Sequence, residues 1–282
     1  MAISQHLLHP EPKAKQNASM AGRGGICALC RRTKQLHDSH LLPAGVLRLL
    51  RDDNLRNPNP FLMSMDHVGP TSSQAKQYLL CQDCEQRFSR NGERWVVKHC
   101  YHESDRSFQL RDLLKAARPI FAGSNGGAYD ASKIHGMDIE NLVYFSASVI
   151  WRASVRKWQL QKQTYEAIQI GAGYQEELRQ YLLGNAPFPK NAVSIVYVST
   201  SDVPPLMAGY PDSLRDGPKD IHRFYIPGIW FHMVLGEGLS EDNRQMCILR
   251  SPVHPICLDV MGDALIHQIG FNLYWNSKED GA

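Results

Sequence analysis

An α+β fold is what this sequence predicts, and three patterns predict it. Two short cysteine pairs, Cys27-Ala-Leu-Cys30 and Cys81-Gln-Asp-Cys84, stand in the N-terminal part. Apolar residues recur at helical spacing from Asp138 to about Trp158. Beyond Pro189 the chain turns to short β-branched or aromatic runs divided by Pro, Gly and Asp.

At 282 residues the chain exceeds one average domain. The sequence divides into a polar leader over 1–25, expected to be disordered, and a four-cysteine module over 26–118. A linker over 119–136 and a helical plus β-rich C-terminal domain over 137–282 follow. An apolar share of 43% can supply a core, and no apolar run is long enough to span a bilayer, which excludes a membrane protein of the helical kind. Residues 1–25 lack the apolar stretch of an export signal, so a cytoplasmic location is expected. In that reducing compartment paired cysteines are metal ligands more often than disulfides. Charge is uneven. From Arg23 to Arg118 there are 16 Lys/Arg against 10 Asp/Glu, and from Pro119 to Ala282 there are 13 against 17. A basic module joined to an acidic one suits a nucleic-acid partner, although a solvated face carries the same surplus.

Taken in order, the elements are these. The stretch Arg56-Asn57-Pro58-Asn59-Pro60, with Gly69-Pro70, reads as an insertion between the cysteine pairs. Glu85 to Val97 has no breaker except Gly92 and reads as a helix. Phe108 to Arg118 is a second helix, stopped by Pro119. Ala122-Gly123-Ser124-Asn125-Gly126-Gly127 has linker composition. The helix from Asp138 has an N-cap aspartate and Glu140 in its first turn, with Arg156 and Lys157 near its end. Tyr174 to Leu183 is a further helix ended by Gly184. Ala192–Ser199, Arg223–Ile226, Ile229–Leu235, Gln245–Leu249 and Ile256–Val260 read as strands of a small antiparallel sheet.

Four cysteines in two CxxC units predict one structural zinc bound by Cys27, Cys30, Cys81 and Cys84. Two intervening residues let one turn aim both sulfurs at a tetrahedral ion, and four thiolates leave no open position for catalysis. Between the pairs stands Asp38-Ser39-His40-Leu41-Leu42-Pro43, and Glu85 follows the last cysteine.

Cys27 to Glu85, with the order CxxC, Ser39-His40-Leu41-Leu42-Pro43, then Leu80-Cys81-Gln82-Asp83-Cys84-Glu85, resembles the HNH endonucleases of the ββα-metal, treble-clef zinc-finger type. The resemblance implies an N-terminal zinc-stabilised ββα-metal-like module hydrolysing phosphodiester bonds in DNA, and His40 matches the general base. An imidazole suits that role because its ordinary pKa lies near working pH. A catalytic Mg²⁺ or Mn²⁺ would fall to Asp38 and Glu85, since such ions prefer oxygen ligands. The chain departs from the family where Ser39 replaces the usual ligand before the base, Glu85 the usual histidine and Lys76 the bracing asparagine, with Gln74 and Gln77 nearby. Each residue also has a structural reading, His40 as a packed histidine, Asp38 as a turn residue and Glu85 as a first-turn acid.

Arg87, Arg90, Arg94 and Lys98 recur at helical spacing and predict a phosphate-gripping ridge, or a solvated face. The partner expected is nucleic acid, DNA before RNA. The apolar helix over 138–158 is the expected contact of a homodimer. The alternative function is a non-catalytic zinc-knuckle module that binds nucleic acid or protein.

Overall fold

The computed structural model describes residues 23–52, 61–63, 68–70, 74–124, 126–160, 163–204, 206–216, 219–249 and 253–259. The expected leader lies almost wholly outside them, and the insertion over 56–60 does so entirely.

Strands β1 (Arg23–Ile26) and β2 (Thr33–His40) form a hairpin across the first cysteine pair. Helix α1 (Ala44–Asp52) follows Pro43 and buries Val46, Leu47, Leu49 and Leu50. Short strands β3 (Phe61–Met63) and β4 (Val68–Pro70) lead to β5 (Lys76–Cys81), which pairs antiparallel with β2. From Cys81 the chain runs straight into a helical rod made of α2 (Gln82–Phe88), a π-helical segment (Ser89–Glu93) and α3 (Arg94–His99). A small hairpin, β6 (Tyr101–His102) with β7 (Ser107–Phe108), precedes α4 (Gln109–Lys115).

The stretch expected as a linker over 119–136 is instead a hairpin, β8 (Phe121–Gly123) with β9 (Gly126–Asp130). Its glycines serve close packing. A Cβ on Gly126, whose φ is +153°, would stand 1.9 Å from the Leu258 carbonyl oxygen.

Helix α5 (Ile139–Val155) begins where Asp138 Oδ1 accepts the Asn141 amide at 2.9 Å. Every residue from Leu142 to Ser154 is buried, so the helix is covered on all sides and lies inside the molecule. That corrects the expected homodimer contact over 138–158, because the chain itself covers the face a partner would need. The rod packs across α5 at Gly92, where an added Cβ would meet Phe145 N at 2.9 Å and its Cα at 3.0 Å. Gly92 is therefore a packing residue in an unbroken rod.

Strands β10 (Trp158–Leu160) and β11 (Gln163–Tyr165), then helix α6 (Ala172–Leu183), follow. Gly184 closes α6 in the left-handed region at φ 76°. Strand β12 (Ala192–Ser199) is succeeded by β13 (Met207–Asp216), β14 (Lys219–Ile226) and β15 (Ile229–Leu235). The stretch Gln245–Leu249, expected as a strand, is the end of α7 (Glu241–Gln245) and the turn beyond it. Strand β16 (Pro255–Asp259) ends the described chain.

These strands make a five-stranded sheet, β1-β2-β5-β10-β11, and a nine-stranded sheet, β4-β3-β13-β14-β15-β12-β16-β9-β8. The second is larger than expected and mixed, since β12 runs parallel to β16 and β13 parallel to β3. Each sheet borrows strands from the other half of the chain. One buried cluster joins Leu36, Leu80 and Phe88 to Phe145, Val196 and Phe231. The described residues thus do not separate at 119–136 into two cores. No described helix is long and apolar enough to cross a membrane.

Candidate metal centre and adjoining cleft

The β1–β2 turn presents the first two cysteines. Cys27 N–H donates to Arg32 O at 3.0 Å and Arg31 N–H to Cys27 O at 2.8 Å, while Arg31 takes a positive φ of 58° so the chain can turn back into β2. Ala28 N–H donates to Leu79 O at 3.0 Å, tying this knuckle to β5. The second pair straddles the start of α2, with Cys81 ending β5 and Cys84 in the first turn. Cys81 N–H donates to Cys27 Sγ at 3.3 Å.

The four sulfurs lie within 4.8 Å of one another, and Cys30 Sγ is 3.9 Å from Cys81 Sγ. A tetrahedral ion with Zn–S bonds of about 2.3 Å separates its sulfurs by about 3.8 Å. A disulfide would need about 2.05 Å, and all four cysteines are free. The donor set thus fits a metal such as zinc. Among themselves the thiols compete for one proton: hydrogen bonding from Cys84 pulls the Cys27 thiol down, and the same pairing pushes Cys84 up. Only a cation would let the four ionise together. Helix α6 braces the centre from outside. Arg179 Nη1 donates to Leu29 O at 2.6 Å while its Nη2 pairs with Glu176 at 2.7 Å, and Glu176 also binds Arg31.

The pleat of β2 decides where the remaining candidates go. Asp38 and His40 alternate with Ser39, so they stand on the opposite face of the strand. Asp38 is exposed and pairs with Lys76 at 3.6 Å. His40 sits opposite Lys76 in the register and shares its surroundings with Asp38 and Gln74. Burial, with Lys76 nearby, pushes the His40 imidazole down to about 4. Ser39 is buried on the other face, where its hydroxyl donates to Glu85 and accepts the Leu80 amide at 3.2 Å. Asp38 and Glu85, expected to share a divalent cation, each have another partner, Lys76 for Asp38 and the Ser39 hydroxyl for Glu85. Among the described residues the cysteines form the one cluster of three or more metal-ligating side chains.

Two further residues complete the cleft, neither of them singled out by motif. Arg152, 1% exposed on α5, donates Nη1 to His40 O at 3.0 Å, Nη2 to Glu93 Oε1 at 2.9 Å and Nε to Ser148 O at 3.2 Å. Its guanidinium lies 5.2 Å from the Phe88 ring centroid. Glu93 comes from the π-helical segment, and burial raises its carboxyl against the opposing pull of Arg152. A cation supplied by the chain itself thus links the His40 backbone to the rod. The available signal was an arginine inside the apolar run Val149-Ile150-Trp151-Arg152-Ala153, which only a partner could make tolerable.

Of the expected ridge, Arg90, Arg94 and Lys98 are exposed. Arg87 turns inward and donates to Leu183 O at 3.1 Å. His99 and His102 are bound to the carbonyls of Trp95 and Val97 at the end of α3.

Comparison with family models, curated proteins and solved structures finds no match to this chain.

Proposed function

We propose that this chain is a non-catalytic, zinc-clamped nucleic-acid-binding module built on a ββα plan. The observation that carries the reading is the divided cleft. The strand pleat sends Asp38 and His40 to one face and Ser39 to the other, where Ser39 engages Glu85. A second cation of the kind that drives phosphodiester hydrolysis needs oxygen ligands converging on one point. Support for a nucleic-acid partner comes from the exposed Arg90, Arg94 and Lys98, carried on the rod that starts at the cysteine cluster. The clamp's task is to hold that rod against the β2–β5 hairpin.

The metal-dependent HNH-like endonuclease is the second reading. One observation favours it: β2, β5 and α2 follow one another around the four cysteines, with His40 at the end of one strand and Glu85 in the first helical turn. It requires Glu85 to leave Ser39 and turn toward a cation.

Fluorescence anisotropy with duplex DNA over a range of salt tests the proposal. Arg94→Ala and Lys98→Ala are each expected to lower the slope of log affinity against log salt by about one. An unchanged slope in both variants overturns the ridge as the binding surface.

A further inference from the structure

The rod carries three acids along its length, Asp83, Glu85 and Glu93. Two of them are engaged inward, Glu85 with the buried Ser39 and Glu93 with the buried Arg152. The outward side of the rod is a stripe of Gln82, Gln86, Arg90, Arg94 and Lys98, one residue in every four, all exposed. Asp83 is the one acid beside that stripe, and its side chain is 74% exposed. Asp83 and Arg90 lie seven positions apart, so two turns bring them to one side of the rod. Lys34, near the start of β2, reaches across from the hairpin and pairs with Asp83 at 2.5 Å. The positive charges of Arg32 and Arg90 fall on the same carboxylate. Both arginines are exposed, and neither has a hydrogen-bond or ion-pair partner among the described residues.

Three cations from two elements thus act on one exposed carboxylate. An ion pair in that setting is weakly held, because water screens both charges and two long side chains must stay ordered. Bonds from arginine and lysine to a phosphate oxygen are charge-assisted, and a phosphate has oxygens enough for several donors. We propose that Arg32, Lys34 and Arg90 form a site for one phosphate of a nucleic-acid backbone, and that Asp83 fills it in the free chain as a competing anion. The hairpin and the rod then hold the strand from two sides, and Arg94 and Lys98 continue its path along the rod. Transfer of Lys34 from Asp83 to the phosphate is what opens the site. The proposal rests on the nucleic-acid reading above.

The test is anisotropy with duplex DNA over a range of salt, using the full chain. Asp83→Asn keeps the shape of the side chain and removes the competitor, so it is expected to bind more tightly, with a slope of log affinity against log salt steeper by about one as Lys34 gains a phosphate. Asp83→Asn/Lys34→Ala should lose that gain. Arg32→Ala should make the slope shallower by about one. Arg215, 84% exposed and outside both elements, is the control, and Arg215→Ala should leave the slope unchanged. Weaker binding by Asp83→Asn overturns the proposal, since Asp83 would then be a brace between hairpin and rod. An equal fall in slope for Arg215→Ala overturns it too, because the slope would report overall charge. If Arg94→Ala lowers the slope while Arg32→Ala and Asp83→Asn leave it unchanged, the phosphate site falls and the nucleic-acid reading stands. If the unaltered chain binds no DNA, both fall.

Discussion

Removing the Arg152 guanidinium, as in Arg152→Met, probes the junction between the two halves of the chain. The side chain is 1% exposed and Glu93 is 16% exposed, so the pair sits where a lone carboxylate is poorly solvated. Methionine keeps much of the volume but leaves Glu93 and the His40 carbonyl without the guanidinium that binds them. Breaking a buried pair from one side costs about 3–5 kcal/mol, a large part of an ordinary domain's stability. The cost should depend on pH. Burial already holds the Glu93 carboxyl above its ordinary 4.5 with Arg152 present, so loss of the cation raises it further. A carboxyl raised in the folded state binds more protons there than when unfolded, and stability falls as pH climbs through the window above 4.5. Arg152→Met should therefore be hurt more at pH 8 than at pH 5. Urea unfolding at the two pH values gives the free energies. The double variant Arg152→Met/Glu93→Gln should recover much of the loss, because no buried charge is left. A cost below about 1 kcal/mol at pH 8, or a double variant no better than the single, would refute the reasoning.

Three further outcomes are expected. Gly92→Ala should destabilise by about 1–3 kcal/mol in urea melts, because the new methyl meets Phe145 backbone, which cannot swing aside; a change below about 0.5 kcal/mol would contradict the close helix crossing. Burial pushes His222 and His232 down to about 4, as it does His40. Each binds its proton when unfolded but not when folded, so stability should decline as pH falls from about 6.5 toward 4, by at most about 1.4 kcal/mol per pH unit per histidine. His222→Phe should make that decline shallower, and an identical pH profile would contradict it. Metal analysis should return about one zinc per chain, and Cys81→Ser should release it and expose the β2–β5 amides to hydrogen exchange. A folded, exchange-protected chain without metal would contradict the clamp.

Local patterns carried much of the fold. Strands β12 and β15 have the bounds their β-branched runs indicate, and α5 starts at the Asp138 cap as its composition requires. What the sequence hid is long-range. Gly126 and Gly127 have linker composition, yet they are small because β16 and β8 pass close by. Strand β13 holds Gly209, Pro211 and two aspartates, and it accommodates them at a break in register between Gly209 and Asp212. The cysteine spacing was enough to bring four sulfurs together. The rest of the site depended on strand phase. Asp38 and Ser39 differ by one position, and one position on a strand chooses the face. The ridge lost Arg87 for a related reason, because helical spacing alone does not say which arginine meets the Leu183 carbonyl.

The central claim, that this module holds nucleic acid without cutting it, is met most directly by one gel. Zinc-loaded protein is incubated with supercoiled plasmid and Mg²⁺ or Mn²⁺, and shift and topology are read together, alongside His40→Ala and Glu85→Ala. A salt-sensitive shift with the plasmid left supercoiled is expected in all three proteins. Nicking by the unaltered chain that both variants abolish would contradict it and restore His40 as general base and Glu85 as a cation ligand.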